Sequence, residues 1–307
     1  MAASTVTTAF TEQYSALVYM LSQQKGSKFR NLVRNETVSS ARNAYFERLG
    51  LATAQEITTR HGDTPLNEIP HSRRRLTPAD YNTATLLDHQ DQLKMLIDPK
   101  SPYANAQAME LGRIIDDVII AAALGSVSTG QSGGTEVTFA NDSRSMNGDG
   151  SVTALGTAAT PGTQTDITLA KILAMMNIFN EEDVDPDIPK YWAVSPREIQ
   201  IMLDITEIGS ADFNTVKALA AGKVDTFSGF NFFWTNRLLT DATEGTTKRS
   251  IAWAQDGLIL GTAQNITSKI SERDDKNYSI QVYAEQSLGA IRLEGKKVHE
   301  SLNGLAS

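Results

Sequence analysis

The stretch that decides the fold is SPYANAQAMELGRIIDDVIIAAALG at residues 101–125, which has the pattern of one long helix. Ser101 can cap its start, Pro102 suits the first helical position, and Gly125 suits a left-handed stop. The apolar residues fall on one stripe, which consists of Ala104, Ala108, Leu111, Ile115, Val118, Ile119 and Ala122. A helix over 102–124 would be about 33 Å long, so we predict that it forms a structural spine.

The segment that precedes this helix, residues 36–86, is typical of a long hairpin. Residues 53–60 alternate along the chain, turn residues follow at 62–65 and 69–70, and residues 73–87 form a second extended run. Such a ribbon has almost no apolar face to bury, and a two-stranded ribbon is marginal alone in water. We therefore expect it to lie on a neighbouring molecule. Residues 1–35 are predicted to be an arm with one short amphipathic helix near 10–21.

Beyond the helix the pattern changes twice. Residues 126–165 are rich in Ser, Thr and Gly and predict an exposed insertion or a glycine-rich hairpin, with a strand at 136–140 and a turn at 147–150. Helical spacing returns at 166–179 and 212–221, and Ser195, Pro196 and Glu198 have the capping-box spacing that starts a helix through 205. Strands are predicted at 191–194, 224–227, 231–234, 250–254, 258–260, 266–272 and 278–293. Helices and strands are partly segregated, which indicates an α+β fold rather than repeated βαβ units.

The composition limits the classes of function. The chain has 307 residues with 28 Lys or Arg against 36 Asp or Glu, and the net charge of −8 argues against a general nucleic-acid binder. It has no cysteine, which excludes disulfides, thiolate metal sites and a cysteine nucleophile. No stretch has the form of a secretory signal or a membrane span. We therefore expect a soluble protein that is made and kept in a cytoplasm.

Signs of catalysis are sparse. The sequence has no GxGxxG, GxxxxGK[ST], GxSxG or HExxH motif. Its four histidines, His61, His71, His89 and His299, fall in polar, loop-like or terminal contexts without a ligand partner nearby in sequence. The acidic run at 181–187 offers carboxylates to a hard cation, but it lacks an EF-hand glycine and contains a proline, so a solvated helix end is the simpler interpretation. We predict no enzyme activity, no cofactor and no metal.

The charge is unevenly distributed along the chain. Residues 1–75 contain ten Lys or Arg against six Asp or Glu, so they carry +4 and the other 232 residues carry −12. A basic quarter beside an acidic body favours contact with an acidic surface of another copy, with solvated faces as the alternative.

The candidate contact residues are Arg60, Arg73, Arg74 and Arg75 on the basic side, and Glu110, Asp116 and Asp117 on the acidic side. No aromatic residue lies among the three consecutive arginines, which disfavours a nucleic-acid groove. Successive helical residues point about 100° apart, so the two aspartates are predicted to be surface charges or acceptors for a neighbour rather than an acid–base pair.

Three stretches resemble the major capsid proteins of tailed phages. LIDPKSPYA at 96–104, running into RIIDDVIIAAALG at 113–125, resembles the entry to that family's spine helix. TFSGF at 226–230 with TNRL at 235–238 is similar to a strand–turn–strand of the family, and QVYA, LGA and RLE at 281–284, 288–290 and 292–294 resemble its closing strand. The match covers about 82–300 and depends on the joint order of these elements.

The resemblance implies the Hong Kong 97-like fold. It places an N-terminal arm at 1–35, an E-loop hairpin at 36–86 and a peripheral (P) domain at 87–165, which holds the spine helix at 102–124 and the Ser/Gly-rich insertion. An axial (A) domain follows at 166–255, and strands at 256–307 return to the P-domain. The family's E-loop lies over the adjacent subunit, in agreement with a ribbon that cannot bury itself.

The function that the resemblance implies is that of a major capsid subunit, which assembles into pentamers and hexamers of an icosahedral head around double-stranded DNA. The implied partners are other copies of the chain, a portal, a decoration protein and a separate scaffolding protein, with assembly without a scaffold as the alternative; no sequence-specific DNA binding and no membrane are implied. The implied location is the virion capsid, after assembly in the bacterial host cytoplasm. Two alternatives stay open: a phage tail-tube or fibre protein, and a hydrolase that uses one of the four histidines.

Overall fold

The computed structural model describes residues 23–38, 42–56, 58–60, 66–88, 100–162, 165–205, 226–241, 245 and 247–304. Helices and strands are both present, and the predicted α+β class is confirmed. The predicted helices at 10–21 and 212–221 lie outside the described residues, as do His61 and His89.

The described helices are α1 (Lys100–Leu124), α2 (Phe139–Asp142), α3 (Leu169–Glu181) and α4 (Pro196–Asp204). The described strands are β1 (Arg34–Thr37), β2 (Ala44–Leu49), β3 (His71–Leu76), β4 (Ala79–Leu87), β5 (Val127–Thr129), β6 (Thr135–Val137), β7 (Ser145–Met146), β8 (Lys190–Val194), β9 (Thr226–Phe227), β10 (Phe230–Trp234), β11 (Thr247–Ala254), β12 (Leu258–Arg273), β13 (Ser279–Arg292) and β14 (Val298–Gly304). They form three sheets, in the orders β1-β12-β13-β4, β7-β14-β11-β8-β10-β9 and β2-β3-β5-β6.

The chain divides into two compact units. The first contains Met1–Gly26, Tyr81–Arg113 and Ile266–Gln286, and the second contains Ser27–Asp80, Ile114–Asn265 and Ser287–Ser307. In the first unit, Leu87, Ile280 and Val282 form a small core on which Tyr103 packs. This core joins β4 and β13 to the first half of α1.

The second unit is built around the six-stranded sheet. β8 runs parallel to β10 and antiparallel to β11, while β14 runs antiparallel to β11 and parallel to β7. Helices α3 and α4 pack on this sheet, and the shared core includes Met146, Ile172, Met175, Phe179, Trp192, Met202, Phe230 and Ala252. Two strands, β7 and β14, therefore enter this sheet from outside the 166–255 block that the sequence predicted.

Helix α1 forms over the predicted range, but its buried face differs from the predicted stripe. Leu111 and Ile115 are buried as predicted, whereas Ala108 is exposed. Gln107 and Asp116 are buried in its place, because each finds hydrogen-bond partners inside the protein.

Both ends of α1 also differ from the prediction. The helix begins at Lys100, so Ser101 lies within it rather than at its N-cap. Gly125 ends the helix without adopting a left-handed conformation. A Cβ at this position would lie 2.6 Å from the Ala121 carbonyl oxygen, and this close approach is the reason that glycine is required.

The capping box at the start of α4 is confirmed. The Ser195 side chain accepts from the Glu198 backbone N–H, and the Glu198 carboxylate accepts from the Ser195 backbone N–H. Pro196 then occupies the first helical position, where its missing N–H is not needed.

The Ser/Gly-rich segment contains the predicted glycine-rich hairpin, since β5 and β6 pair antiparallel. The turn at 147–150 is also confirmed by the Gly150 N–H, which donates to the Asn147 carbonyl. The strand predicted at 136–140 is cut short because Phe139 starts α2. The segment is not wholly exposed, because Phe139, Ser145 and Met146 are buried in the second unit.

Strands β11 and β12 are longer than predicted, whereas β13 lies within its predicted range. The strands expected at 258–260 and 266–272 are one strand, β12, which turns back into β13 through a short 3-10 turn at Asp274–Lys276. Strand β14 was not predicted, although all seven of its residues are buried. Its sequence, VHESLNG, is mostly polar, so it lacks the alternating apolar pattern from which a strand is predicted.

Within the part of the chain that the structure describes, no helix combines the length and apolar character needed to cross a membrane.

Candidate functional site

The sequence predicts that the hairpin of β2 and β3 contacts another molecule. Its strands pair antiparallel, from Ala44 opposite Leu76 to Leu49 opposite His71. The extended run predicted at 73–87 divides in two, because only β3 pairs with β2 while β4 lies beside β13. None of the described residues between 50 and 70 is in a strand, so the alternation at 53–60 does not form the predicted strand. We call residues 44–48 and 72–76 the hairpin base, and residues 49–71 the hairpin end.

The hairpin base is anchored in the core of the second unit. Leu76 is buried in a cluster with Val38, Val127, Ile259 and Ile291. Gly261 allows this packing, since a Cβ there would lie 3.1 Å from the Leu76 methyl groups. The base is thereby fixed by ordinary apolar burial.

A buried charge cluster, which we call the Asp142 clamp, also anchors the hairpin base. It consists of Arg74 on β3, Asp142 at the end of α2 and Arg292 at the end of β13. One carboxylate oxygen of Asp142 accepts from Arg74 at 2.5 Å and the other accepts from Arg292 at 2.9 Å. Arg74 is only 1% exposed, so the prediction that it faces a neighbouring subunit is wrong. A fully buried arginine requires a fixed carboxylate partner, and Asp142 provides it.

Arg292 connects the clamp to the end of the spine helix. Its guanidinium donates to the carbonyl oxygens of Ala123 and Gly125 at 2.7 and 3.0 Å and lies 4.9 Å from the centre of the Phe139 ring. A cation at the carbonyl end of a helix is favourable. Burial lowers the pKa of Arg292, while the hydrogen bond and the charge of Asp142 oppose that shift.

The other predicted basic contact residues lie closer to solvent. Arg73 pairs with Glu47 across the hairpin at 2.7 Å. Arg75 donates to the Ser132 carbonyl at 3.2 Å and lies against the glycine-rich turn between β5 and β6. Arg60 is exposed in the hairpin end. Of the four arginines, therefore, Arg60 is exposed, Arg73 and Arg75 are partly exposed, and Arg74 alone is buried.

The predicted acidic acceptors bind within their own chain. Asp116 is 0% exposed and accepts from the backbone N–H groups of Lys28 and Phe29, so the prediction that it is a surface charge is wrong. Asp117 is partly exposed and forms a bidentate ion pair with Arg237. Two N–H groups that precede the first strand require an acceptor, and Asp116 is the helical residue that reaches them.

Glu110, the third predicted acceptor, pairs with Arg113 one turn further along α1. Its side chain remains half-exposed, so it keeps an oxygen accessible to solvent. Arg113 also donates to Gln23, and this arrangement occurs entirely within the first unit.

The hairpin end carries exposed apolar side chains that the sequence pattern did not predict. Leu51 is 89% exposed and Leu66 is 93% exposed, and Leu49 and Ile69 are exposed beside them. Where this segment leaves the paired strands, its two sides lie close together: the Gly50 N–H donates to the Pro70 carbonyl at 2.8 Å, and a Cβ at Gly50 would collide with the Pro70 ring. The single leucines at 49, 51 and 66 were the available signal, although their spacing matches no strand period.

The structure was searched for side chains that could hold a metal ion in the described part of the chain. Among the described residues, no cluster of three or more His, Asp or Glu side chains is placed to hold a metal ion. In the acidic run, Glu181 pairs with Arg144 and Glu182 pairs with Lys296.

His299 contradicts its predicted polar, terminal setting, because it is fully buried with its ring edge-on to Phe179 at 4.8 Å. Burial lowers the pKa of His299 to about 4. The ring therefore stays neutral at pH 7 and belongs to the core.

Known proteins are similar to this chain over nearly its whole length. A family model described as "Phage capsid protein" matches residues 6–303. No curated protein sequence gives a match. Among solved structures, the capsid of Cyanophage P-SCSP1u is similar with a TM-score of 0.73 and 16% identity, over 99% of this chain and 96% of that chain. The Cyanophage Pam1 capsid asymmetric unit is similar with a TM-score of 0.70 and 14% identity, over 100% of both chains. The capsid of an empty GTA particle is similar with a TM-score of 0.67 and 12% identity, over 99% of this chain and 100% of that chain.

Proposed function

Because this chain belongs to the phage capsid protein family and serves as a major capsid subunit, we propose that its copies form the pentamers and hexamers of an icosahedral head around double-stranded DNA. The predicted Hong Kong 97-like fold is confirmed by the match to solved capsid structures. The family and the fold are those of a structural protein, and this role requires no turnover of a substrate.

The observation that carries the proposal is the apolar hairpin end. Four large apolar side chains, Leu49, Leu51, Leu66 and Ile69, are exposed in the hairpin end of the isolated chain. Burying one such side chain completely is worth about 1.5–3 kcal/mol, so Leu51 and Leu66 alone would contribute about 3–6 kcal/mol to an interface. In a closed ring each subunit both gives and receives this contact.

The anchored base makes the hairpin suited to such a contact. Leu76 and the Asp142 clamp hold β3 in place before any partner arrives. A segment that is already ordered loses less conformational entropy on binding than a free loop does. Assembly is therefore driven by the apolar end, and the buried charges keep the hairpin in position.

We propose the following correspondence with the family's regions. The arm lies at 1–35 and the P-domain contains α1. The E-loop is the β2–β3 hairpin, a narrower span than the predicted 36–86, because β1 and β4 pair with β12 and β13 instead. The A-domain is centred on the six-stranded sheet with α3 and α4, so the expected 166–255 block is supplemented by β7 and β14.

The capsid family places the protein in the virion capsid. We propose that assembly occurs in the host cytoplasm with a separate scaffolding protein, a portal and a decoration protein. The net charge of −8 supports a container that does not bind its DNA tightly, because strong attraction would hold the genome against release. Tight binding of duplex DNA at physiological salt would contradict this part of the proposal.

The experiment that tests the proposed function removes the apolar surface of the hairpin end. We expect the full chain to form closed shells or capsomers in electron micrographs, and the double variant Leu51→Lys with Leu66→Lys to remain unassembled while folded. The double variant Thr53→Lys with Thr58→Lys is the matched control, because it adds the same two charges to the same segment at exposed polar positions, without removing apolar surface. Normal shells from the double variant would contradict the proposal. Tubes or rods from the unaltered chain would favour the tail-tube or fibre alternative.

A further inference from the structure

The Asp142 clamp holds more positive charge than its one carboxylate balances. Arg74 and Arg292 are 1% and 0% exposed, and both guanidinium groups bind the carboxylate of Asp142. Arginine keeps its charge inside proteins, so one positive charge is left in excess, and burying a charge without a partner is costly. Arg48 on β2 adds to this excess: burial lowers the pKa of Arg48, and the positive charge of Arg74 lowers it further.

Nearby carboxylates do not remove the excess, because each already has a cation of its own. Glu294 and Glu300 are close enough to raise the pKa of an arginine in this region. Glu294, however, pairs with Lys297 at 3.2 Å, and Glu300 pairs with Arg249 at 2.6 Å. Each of these carboxylates is therefore balanced by its own partner, and the surroundings of the clamp stay positive.

The clamp also has more hydrogen-bond donors than acceptors. Among the described residues, nothing accepts from Nε and Nη1 of Arg74 or from Nη2 of Arg292, and all three atoms are buried. The other donors are used, since Arg74 Nη2 and Arg292 Nε bind Asp142 and Arg292 Nη1 donates to two carbonyl oxygens at the end of α1. Buried N–H groups in proteins nearly always have an acceptor, so these three donors indicate a further ligand.

A small buried anion supplies both the missing negative charge and the missing acceptor. A carboxylate of another subunit would need an open path to the donors, whereas the side chains of Arg74 and Arg292 are 2% and 0% exposed. A phosphate group carries more negative charge than the clamp lacks. We propose that Arg74 and Arg292 bind one chloride ion inside the second unit, through the N–H groups that Asp142 does not use.

The chloride ion would help to anchor the hairpin base. Arg74 lies in β3 and Arg292 ends β13, so the ion would connect the hairpin to a strand that is distant in sequence. A ligand that binds only the folded chain stabilises it by mass action. The site lies within one subunit and does not depend on the proposed assembly, because a chain that forms no shells can still bind chloride.

The test is urea unfolding of the dilute full-length chain in mixtures of sodium chloride and sodium gluconate at constant ionic strength. Gluconate is too large to be enclosed by the two arginine side chains. We expect the folding equilibrium constant to rise about tenfold for each tenfold increase in chloride above its Kd, as the loss of one bound ion on unfolding requires. In crystals soaked in sodium bromide, anomalous scattering should show one bromide ion in contact with both guanidinium groups.

Two variants separate this site from general effects of salt. Arg74→Gln removes the excess charge and two of the unpartnered donors, so its stability should no longer depend on chloride in this way. Any difference between the two salts that remains in Arg74→Gln is their general effect on the chain. Arg73→Gln is the matched control, because it removes one positive charge from the adjacent, partly exposed position on the same strand and should keep the full dependence on chloride.

The unaltered chain decides the question even where Arg74→Gln does not fold. Equal stability in chloride and in gluconate would overturn the proposal, because water molecules would then be the acceptors of the three donors. The absence of a bromide peak between Arg74 and Arg292 would also overturn it. An undiminished dependence on chloride in Arg74→Gln would do the same, since the stabilising ion would then bind elsewhere.

Discussion

Replacing Asp142 by Asn tests whether the Asp142 clamp holds the hairpin base. The substitution keeps the size of the side chain and removes its charge. The Arg292 and Arg74 side chains are 0% and 2% exposed, and both ion pairs of the clamp depend on the one carboxylate. Removing one partner from a buried ion pair costs about 3–5 kcal/mol, because the remaining charge stays buried without compensation. We expect Asp142→Asn to lower the free energy of unfolding by this amount.

The assay is urea unfolding of the unassembled chain, followed by the fluorescence of the buried residues Trp192 and Trp253. Hydrogen exchange of the β3 amides should locate the loss at the hairpin base. Arg73→Gln is the control, because it breaks an exposed ion pair with Glu47 on the same hairpin. Exposed pairs contribute about 0.2–1 kcal/mol, so this variant should change stability little.

Two results would refute the reasoning about the clamp. One is an Asp142→Asn chain whose unfolding free energy lies within about 0.5 kcal/mol of the unaltered chain, the usual range for a neutral surface substitution. The other is an equal loss in Arg73→Gln, which would mean that burial does not distinguish the two ion pairs.

Three further predictions concern the core of the second unit. Since the folded chain takes up the proton of His299 only near pH 4 whereas the unfolded chain does so near 6.5, stability that is present above pH 6.5 should be lost as the pH falls to 4. His299→Gln should lack this pH-dependent part of the stability. If the unfolding free energy of the variant changed with pH as much as that of the unaltered chain, the low pKa of His299 would not be its source. Gly295→Ala should lower the melting temperature, at a cost of about 1–3 kcal/mol, since its Cβ would lie 2.0 Å from the Asp142 carbonyl oxygen. Gly134→Ala, with ordinary space around its Cβ, is the control, and equal melting temperatures for the two variants would argue against the close approach. Ser195→Ala should cost about 1 kcal/mol in urea unfolding through the lost cap, and no change would mean that the cap is not stabilising.

Sequence reasoning succeeded where the signal is local. The spine helix, the helix at 169–181 and the capping box at Ser195 each follow from residues within one or two turns of each other. The glycine-rich hairpin at 127–137 was also predicted, because turn residues act on their immediate neighbours. The candidate contact set was less successful: Arg74 and Asp116 are charged, so the sequence placed them on the surface.

The sequence alone determined the α+β class, the family resemblance and most of the helices and strands, since propensity, capping and periodicity operate over a few residues. Only the tertiary structure decided which charges are buried and which apolar residues are left exposed. Asp142 meets Arg292 across 150 positions and Lys171 meets Asn303 across 132. A polar strand such as β14 is buried because its partners come from distant parts of the chain. Whether a charge is buried depends on a partner that the chain path brings to it, and no local pattern records that path.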